Sequence, residues 1–167
     1  MSKFNPPQLL DSLHDLASFD CGKAPLNEFL RLHALDKQKA KLLRTYVVTQ
    51  ADKVVGYYTL AHISVESELA PKKLGRGMPR SIPAMLMARF AVDASVQGLG
   101  LGRSLFADAM HRVWAVIETG AAPVRIFVVD ALDEEAKAFY KRFDMVAGQS
   151  DPMRLYLSYK TIIAAFE

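Results

Sequence analysis

Gln97-Gly98-Leu99-Gly100-Leu101-Gly102 separates the mostly apolar run Ala84-Met-Leu-Met-Ala-Arg-Phe-Ala-Val92 from an amphipathic stretch, Arg103 to Glu118. Leu105, Phe106, Ala109, Met110, Val113 and Ile117 form one stripe of that stretch, so the glycines stand between a strand and a helix. Glycine permits backbone conformations barred to other residues and lets a ligand come close. The amides at such a helix start, and the helix dipole, favour an anion. A dinucleotide fingerprint needs glycines at offsets 0, 2 and 5, and this stretch fails it from Gly98 and from Gly100 alike. A P-loop needs a Gly-Lys-Ser/Thr triplet, which the chain lacks. Two readings stay open: a tight strand–helix turn, and a cradle for a pyrophosphate of another kind.

Working outward, the period alternates between helix and strand. Leu9, Leu10, Leu13 and Leu16 have helical spacing, which predicts a short amphipathic helix after Pro6-Pro7. A second helix is expected from Pro25, with Leu26, Phe29, Leu30 and Ala34 on one face. Thr45–Thr49 and Val54–Leu60 are β-branched and aromatic runs around Ala51-Asp52-Lys53, a hairpin pattern. Residues 67–83, with three prolines, two glycines and Lys72, Lys73, Arg76 and Arg80, read as a basic loop. Val124–Val129 and Met153–Leu157 read as strands. Between them Asp133 can cap a helix with Ala136, Phe139, Tyr140 and Phe143 inward. The order is that of one mixed α/β domain.

The chain has 167 residues, 51% apolar and 23% charged, enough for one core without staples. The single cysteine, Cys21, excludes an intramolecular disulfide and a cysteine-based zinc site. No apolar run is long enough to span a membrane, and the start shows no apolar leader. The expectation is a cytoplasmic protein with no membrane association and no metal. The net charge of +3 is unevenly spread: Arg31 to Arg80 holds ten basic against four acidic residues, a local +6. Such a stretch is either a solvated face or a surface for a polyanion.

Asp133-Glu-Glu-Ala136-Lys-Ala-Phe-Tyr140 supplies the second chemical candidate. On an apolar stripe Tyr140 can equally be a core tyrosine. Taken with Gln97–Gly102, however, the pair resembles the GNAT N-acetyltransferases: a Gln/Arg-x-x-Gly-x-Gly/Ala pyrophosphate loop, then a general-acid tyrosine on the helix after the next strand. Arg44-Thr-Tyr-Val-Val48, Gly56-Tyr-Tyr-Thr-Leu60, Ala88-Arg-Phe-Ala-Val-Asp93 and Ala131–Tyr140 are similar to the acetyltransferase toxins of toxin–antitoxin modules, the TacT and AtaT type. Phe19-Asp-Cys-Gly22 and Asp151-Pro-Met153 extend the likeness across residues 19–157. The chain departs from many relatives at Asp130, where they have histidine, and at Asp144-Met145, where they have Gly-Phe.

The resemblance implies a GNAT fold over residues 1–167: a single mixed, strongly twisted sheet with splayed central strands, flanked by helices. It implies acetyl-CoA as cosubstrate, its pantetheine arm paired with backbone at Phe90, Ala91 and Val92. The cofactor would lie on the loop of Gln97, Gly98, Leu99, Gly100, Leu101 and Gly102, its pyrophosphate held by amides from Leu99 to Ser104, with charge added by Arg103 or Lys137. Tyr140 would protonate the leaving thiolate. The acceptor would be the α-amino group of aminoacyl-tRNA, acetylated so that translation stops. Phosphate contacts would come from Lys37, Lys39, Lys41, Arg44, Lys72, Lys73, Arg76, Arg80 and Arg89. An α-amino group, with a pKa near 8 against about 10.4 for lysine, is partly neutral at pH 7 and needs no strong base. None is visible, for His14, His33, His62 and His111 sit in no motif. A small DNA-binding antitoxin is the implied partner, and a homodimer is compatible. The competing readings are a GNAT enzyme for small or protein amines, which needs no extended basic surface, and a catalytically silent CoA- or partner-binding module.

Overall fold

The computed structural model describes residues 4–167; Met1–Lys3, part of the start read above as lacking a leader, lie outside the described residues. In chain order the elements are β1 (Gln8–Leu9), α1 (Ala24–Glu28), a π-helical turn (Phe29–His33), α2 (Ala34–Lys39), β2 (Arg44–Gln50), β3 (Lys53–Glu66), α3 (Lys72–Gly75), β4 (Ser81–Met87), β5 (Phe90–Val92), a 3₁₀ turn (Ala94–Val96), α4 (Leu101–Thr119), β6 (Ile126–Asp130), α5 (Glu134–Lys141), β7 (Val146–Ala147), β8 (Arg154–Ser158) and α6 (Tyr159–Ala165). They fall into two compact units interleaved in sequence. One takes the chain up to Ala61 together with Arg89–Ala109; the other takes His62–Ala88 with Met110–Glu167.

The first unit is antiparallel. β1 pairs with β2, β2 with β3, and β3 with β5. The expected hairpin is present, its turn carrying Ala51 at φ 55°. Pro25 sits in the first turn of α1, and Phe29, Leu30 and Ala34 are buried as the spacing required. They join Leu10, Phe19, Cys21, Val47, Val54, Tyr57 and Ala91 in one core. The helix expected after Pro6-Pro7 is not formed. The Leu10 amide donates to Thr45 O at 2.8 Å, while Asp11 and Asp15 accept from the amides of Leu13 and Ala17. Local carboxylate–backbone bonds of this kind compete with a helix. Leu10 is 2% exposed and Leu13 90%, a split no helical stripe would give.

The second unit holds a mixed sheet. β4 runs parallel to β6, β6 antiparallel to β8, and β8 antiparallel to β7. Ile126, Phe127, Val128 and Val129 are all fully buried, so β6 is covered on both faces, as an uninterrupted apolar run suggests. The basic segment 67–83 is not all loop: it contains α3 and the first three residues of β4. The strand expected over Ala84–Val92 is broken at Ala88-Arg89 into β4 and β5, which belong to different units. Asp133 caps α5 as read, its Oδ1 accepting from the Ala136 amide at 2.9 Å.

Candidate functional site

In the first unit, β5 leads into the glycine-rich turn through a set of side-chain ties. Asp93 accepts from the amides of Asp20 and Ser95, both at 2.9 Å, and from the Ser95 hydroxyl at 2.7 Å. Burial pushes its carboxyl pKa up, but these bonds outweigh burial and hold it below the usual value. Asp20 in turn accepts from the Gly22 amide and the Asn27 side chain, which closes the Phe19–Gly22 segment against the strand end. Gln97 Nε2 donates to Val92 O at 2.9 Å and to Cys21 O at 3.3 Å. Its side chain therefore secures the turn.

Gly98 and Gly100 take φ of 81° and 84°, and a Cβ on either would meet nothing within 4 Å. The alternation thus serves backbone conformation, with open space where a side chain would stand. α4 begins at Leu101, and the Ser104 amide donates to Gly100 O at 3.2 Å. The first intrahelical bond therefore occupies Ser104, which corrects the expectation that its amide is available to a ligand. The amides of Leu101, Gly102 and Arg103 have no intrahelical acceptor, and Gly100 offers no side chain to cap them. Arg103 and Ser104 are exposed and Gly102 half-buried.

The helix start is held close to the sheet of its unit. A Cβ on Gly56 would meet Leu105 Cδ2 at 3.4 Å and Leu101 Cδ2 at 3.6 Å, so glycine in β3 makes room for the first turn of α4. One turn further, Tyr58 donates its hydroxyl to Asp108 at 2.5 Å. In β5, the bonds Thr59 N to Arg89 O and Asp93 N to Val55 O set the pairing parity. Ala91 therefore exchanges its backbone bonds with Tyr57, and the peptide groups of Phe90 and Val92 point to the opposite edge. Of the three residues expected to pair with a pantetheine arm, Ala91 is committed to β3.

In the second unit, Tyr140 on α5 is 3% exposed. Burial pushes its phenol pKa up, with Asp130 and Asp133 adding to the rise, so the hydroxyl keeps its proton through the neutral range. Lys137 lies one turn earlier, half-buried. Asp130 is bound by Arg154 through Nε–Oδ1 at 2.7 Å and Nη2–Oδ2 at 3.1 Å. That pair was invisible in sequence, since only the β6–β8 register brings the two residues opposite.

The basic residues divide between the units. Lys37, Lys39, Lys41 and Arg44 belong to the first, Lys72, Lys73, Arg76 and Arg80 to the second; all are exposed except the half-buried Lys37. Arg89 differs from the rest: its guanidinium lies 3.7 Å over the Phe29 ring. Among the described residues no cluster of three His, Cys, Asp or Glu could hold a metal ion, and no helix is long and apolar enough to cross a membrane.

Residues 41–144 match the acetyltransferase (GNAT) domain family, and the chain belongs to that family of acetyl-transferring enzymes. It is 37% identical over 160 residues to the tRNA-acetylating toxin of Mycobacterium tuberculosis, covering 96% of this chain and 95% of that one. Among solved structures it is similar to AtaT complexed with acetyl-methionyl-tRNAfMet, with a TM-score of 0.87, 32% identity and coverage of 98% and 99%. A tyrosine-to-phenylalanine variant of AtaT, bound to the C-terminus of the antitoxin AtaR and acetyl-CoA, superposes with a TM-score of 0.83 at 32% identity, covering 98% and 97%.

Proposed function

We propose that this protein is a cytoplasmic, single-domain toxin that transfers acetyl from acetyl-CoA to the α-amino group of aminoacyl-tRNA and so blocks translation. The observation that carries the reading is the likeness, along nearly the whole chain, to a tRNA-acetylating toxin and to AtaT with its acetylated tRNA. The local geometry supports it. Three uncapped amides at the start of α4, behind two left-handed glycines facing open space, fit a pyrophosphate. Arg103 adds charge at the same turn, and Lys137 serves CoA phosphates from α5. The outward peptide groups of Phe90 and Val92 suit an extended pantetheine arm.

When bound, acetyl-CoA supplies an acyl carbon activated as a thioester. Tyr140 holds a proton at Oη and passes it to the departing sulfur. The proton shed by the new amide nitrogen balances the one given up by Oη. The phenol is the weaker acid of the pair, so its placement must offset an uphill transfer. The half-buried Lys37 and the exposed Lys39, Lys41, Arg44, Lys72, Lys73, Arg76 and Arg80 neutralise tRNA phosphates. By the AtaT–AtaR likeness, a cognate antitoxin restrains the enzyme, and unrestrained expression inhibits growth.

Incubation with labelled acetyl-CoA and total charged tRNA tests the reaction. The label is expected in N-acetylaminoacyl-tRNA; label confined to free amines or proteins defeats the proposal. The donor site has its own check. Asp at position 100 tolerates the left-handed backbone better than most residues but sets a negative charge against the pyrophosphate. Gly100→Asp should weaken acetyl-CoA binding at least about 30-fold more than the isosteric, neutral Gly100→Asn, because like-charge contacts cost several kcal/mol. Calorimetry on the two folded variants measures the difference, and equal affinities would move the site elsewhere.

A further inference from the structure

β5 is only three residues long, and a ladder this short fixes its orientation weakly. The strand is held instead by side chains. Gln97 and Asp93 secure its exit, and the Phe90 ring meets Phe106 edge-on at 6.2 Å. At its entry stands Arg89, in the break between β4 and β5. The Arg89 carbonyl accepts from the Thr59 amide at 3.0 Å, and its guanidinium carbon lies 3.7 Å from the centre of the Phe29 ring. Phe29 is stacked on Tyr57 at 6.4 Å and 14°, and Phe19 meets Tyr57 edge-on at 5.6 Å. Tyr57 is fully buried and donates its hydroxyl to Leu26 O at 2.7 Å.

Arg89, Phe29 and Tyr57 therefore form three layers, from the strand break down to the core of the first unit. Phe29 opens the π-helical turn, whose wider winding accepts a bond from the Ala34 amide to the Phe29 carbonyl. Turns of this kind recur at functional positions in helices. We propose that Arg89 is a positioning residue for the acetyl donor, not a tRNA contact: stacked on Phe29, it fixes the peptide of Phe90 in the orientation that receives the pantetheine arm. This revises the reading of Arg89 as one more phosphate-neutralising cation, and it rests on the acetyl-CoA site proposed above.

Lysine and glutamine at position 89 separate the two roles. Lysine keeps the charge but not the planar fork; glutamine keeps a planar end but not the charge. A phosphate contact would survive Arg89→Lys and lose one counterion's worth of salt dependence in Arg89→Gln. A stacked positioning residue behaves otherwise. Both variants should raise the KM for acetyl-CoA about tenfold, the scale of a partly desolvated cation–π contact. Both should keep kcat within about twofold and the salt slope of tRNA binding unchanged. Thermal melting of each variant reports separately on the core.

Wild-type acetyl-CoA affinity in both variants overturns the proposal, as does a salt slope reduced by about one in Arg89→Gln alone. A wild-type enzyme that binds no acetyl-CoA would defeat the donor site itself and this role with it. Binding by the wild type with no effect in the variants defeats only the role of Arg89.

Discussion

Tyr140→Phe is expected to lower single-turnover acetyl transfer by roughly 10²–10⁴-fold, the range for a lost general acid. Acetyl-CoA affinity and the melting temperature should stay close to wild type. The substitution keeps the ring, which sits 5.6 Å from Phe139 in a nearly fully buried position, and removes only the hydroxyl. Because burial and the nearby Asp130 and Asp133 hold the phenol pKa above its ordinary value, loss of the tyrosine proton should not shape the profile near neutral pH. The wild-type rate should instead fall as the pH drops below the acceptor amine's own pKa, about 8 or lower for an α-amino ester. Undiminished transfer in the variant would return Tyr140 to the core as a packing residue.

The second large effect concerns the exposed cations of α3 and its flanks. Replacing Lys72, Lys73, Arg76 and Arg80 together by glutamine should flatten the logarithmic salt dependence of tRNA binding by about three, since each phosphate contact releases most of one counterion. Acetyl-CoA affinity should barely move, because none of the four is among the residues assigned to the donor site. Filter binding of charged tRNA across a salt series gives the slope, and calorimetry gives the cofactor control. A variant that acetylates charged tRNA at the wild-type rate throughout the series would remove this segment from the RNA surface.

What the sequence made legible follows a physical line. β6 is readable because an apolar run buried on both faces leaves no polar interruption, and α5 because Asp133 announces its start. The glycine-rich turn is readable because left-handed backbone leaves a compositional trace at Gly98 and Gly100. What stayed hidden lies where side chains act on the backbone. Leu9, Leu10, Leu13 and Leu16 have helical spacing, yet Asp11 and Asp15 capture the local amides first. The break at Ala88-Arg89 carries neither glycine nor proline. Charge counting placed Arg89 among the phosphate contacts and could not show that its guanidinium lies over the Phe29 ring. Gln97 fitted the ligand pattern by position, while its amide reaches Val92 and Cys21. β7 and α6 escaped notice, one being two residues long and the other an amphipathic turn at the chain end.

The interleaving of the two units also sets a timetable for synthesis. A nascent chain that has reached Ala61 contains the hairpin of β2 and β3 and the aromatic layers beneath it, but lacks Ala91 in its core and β5 along its edge. Those pieces, with the first turns of α4 that cover Gly56, arrive only when Ala109 has been made. At about 5–20 residues per second, the intervening 48 residues take roughly 2–10 s, during which the edge of β3 stays open on the ribosome. The glycine-rich turn is among the last parts of its unit to appear, and Tyr140 comes later still. On the proposed function, a growing chain would therefore have no means of attacking the charged tRNAs that are building it until most of its length has been translated.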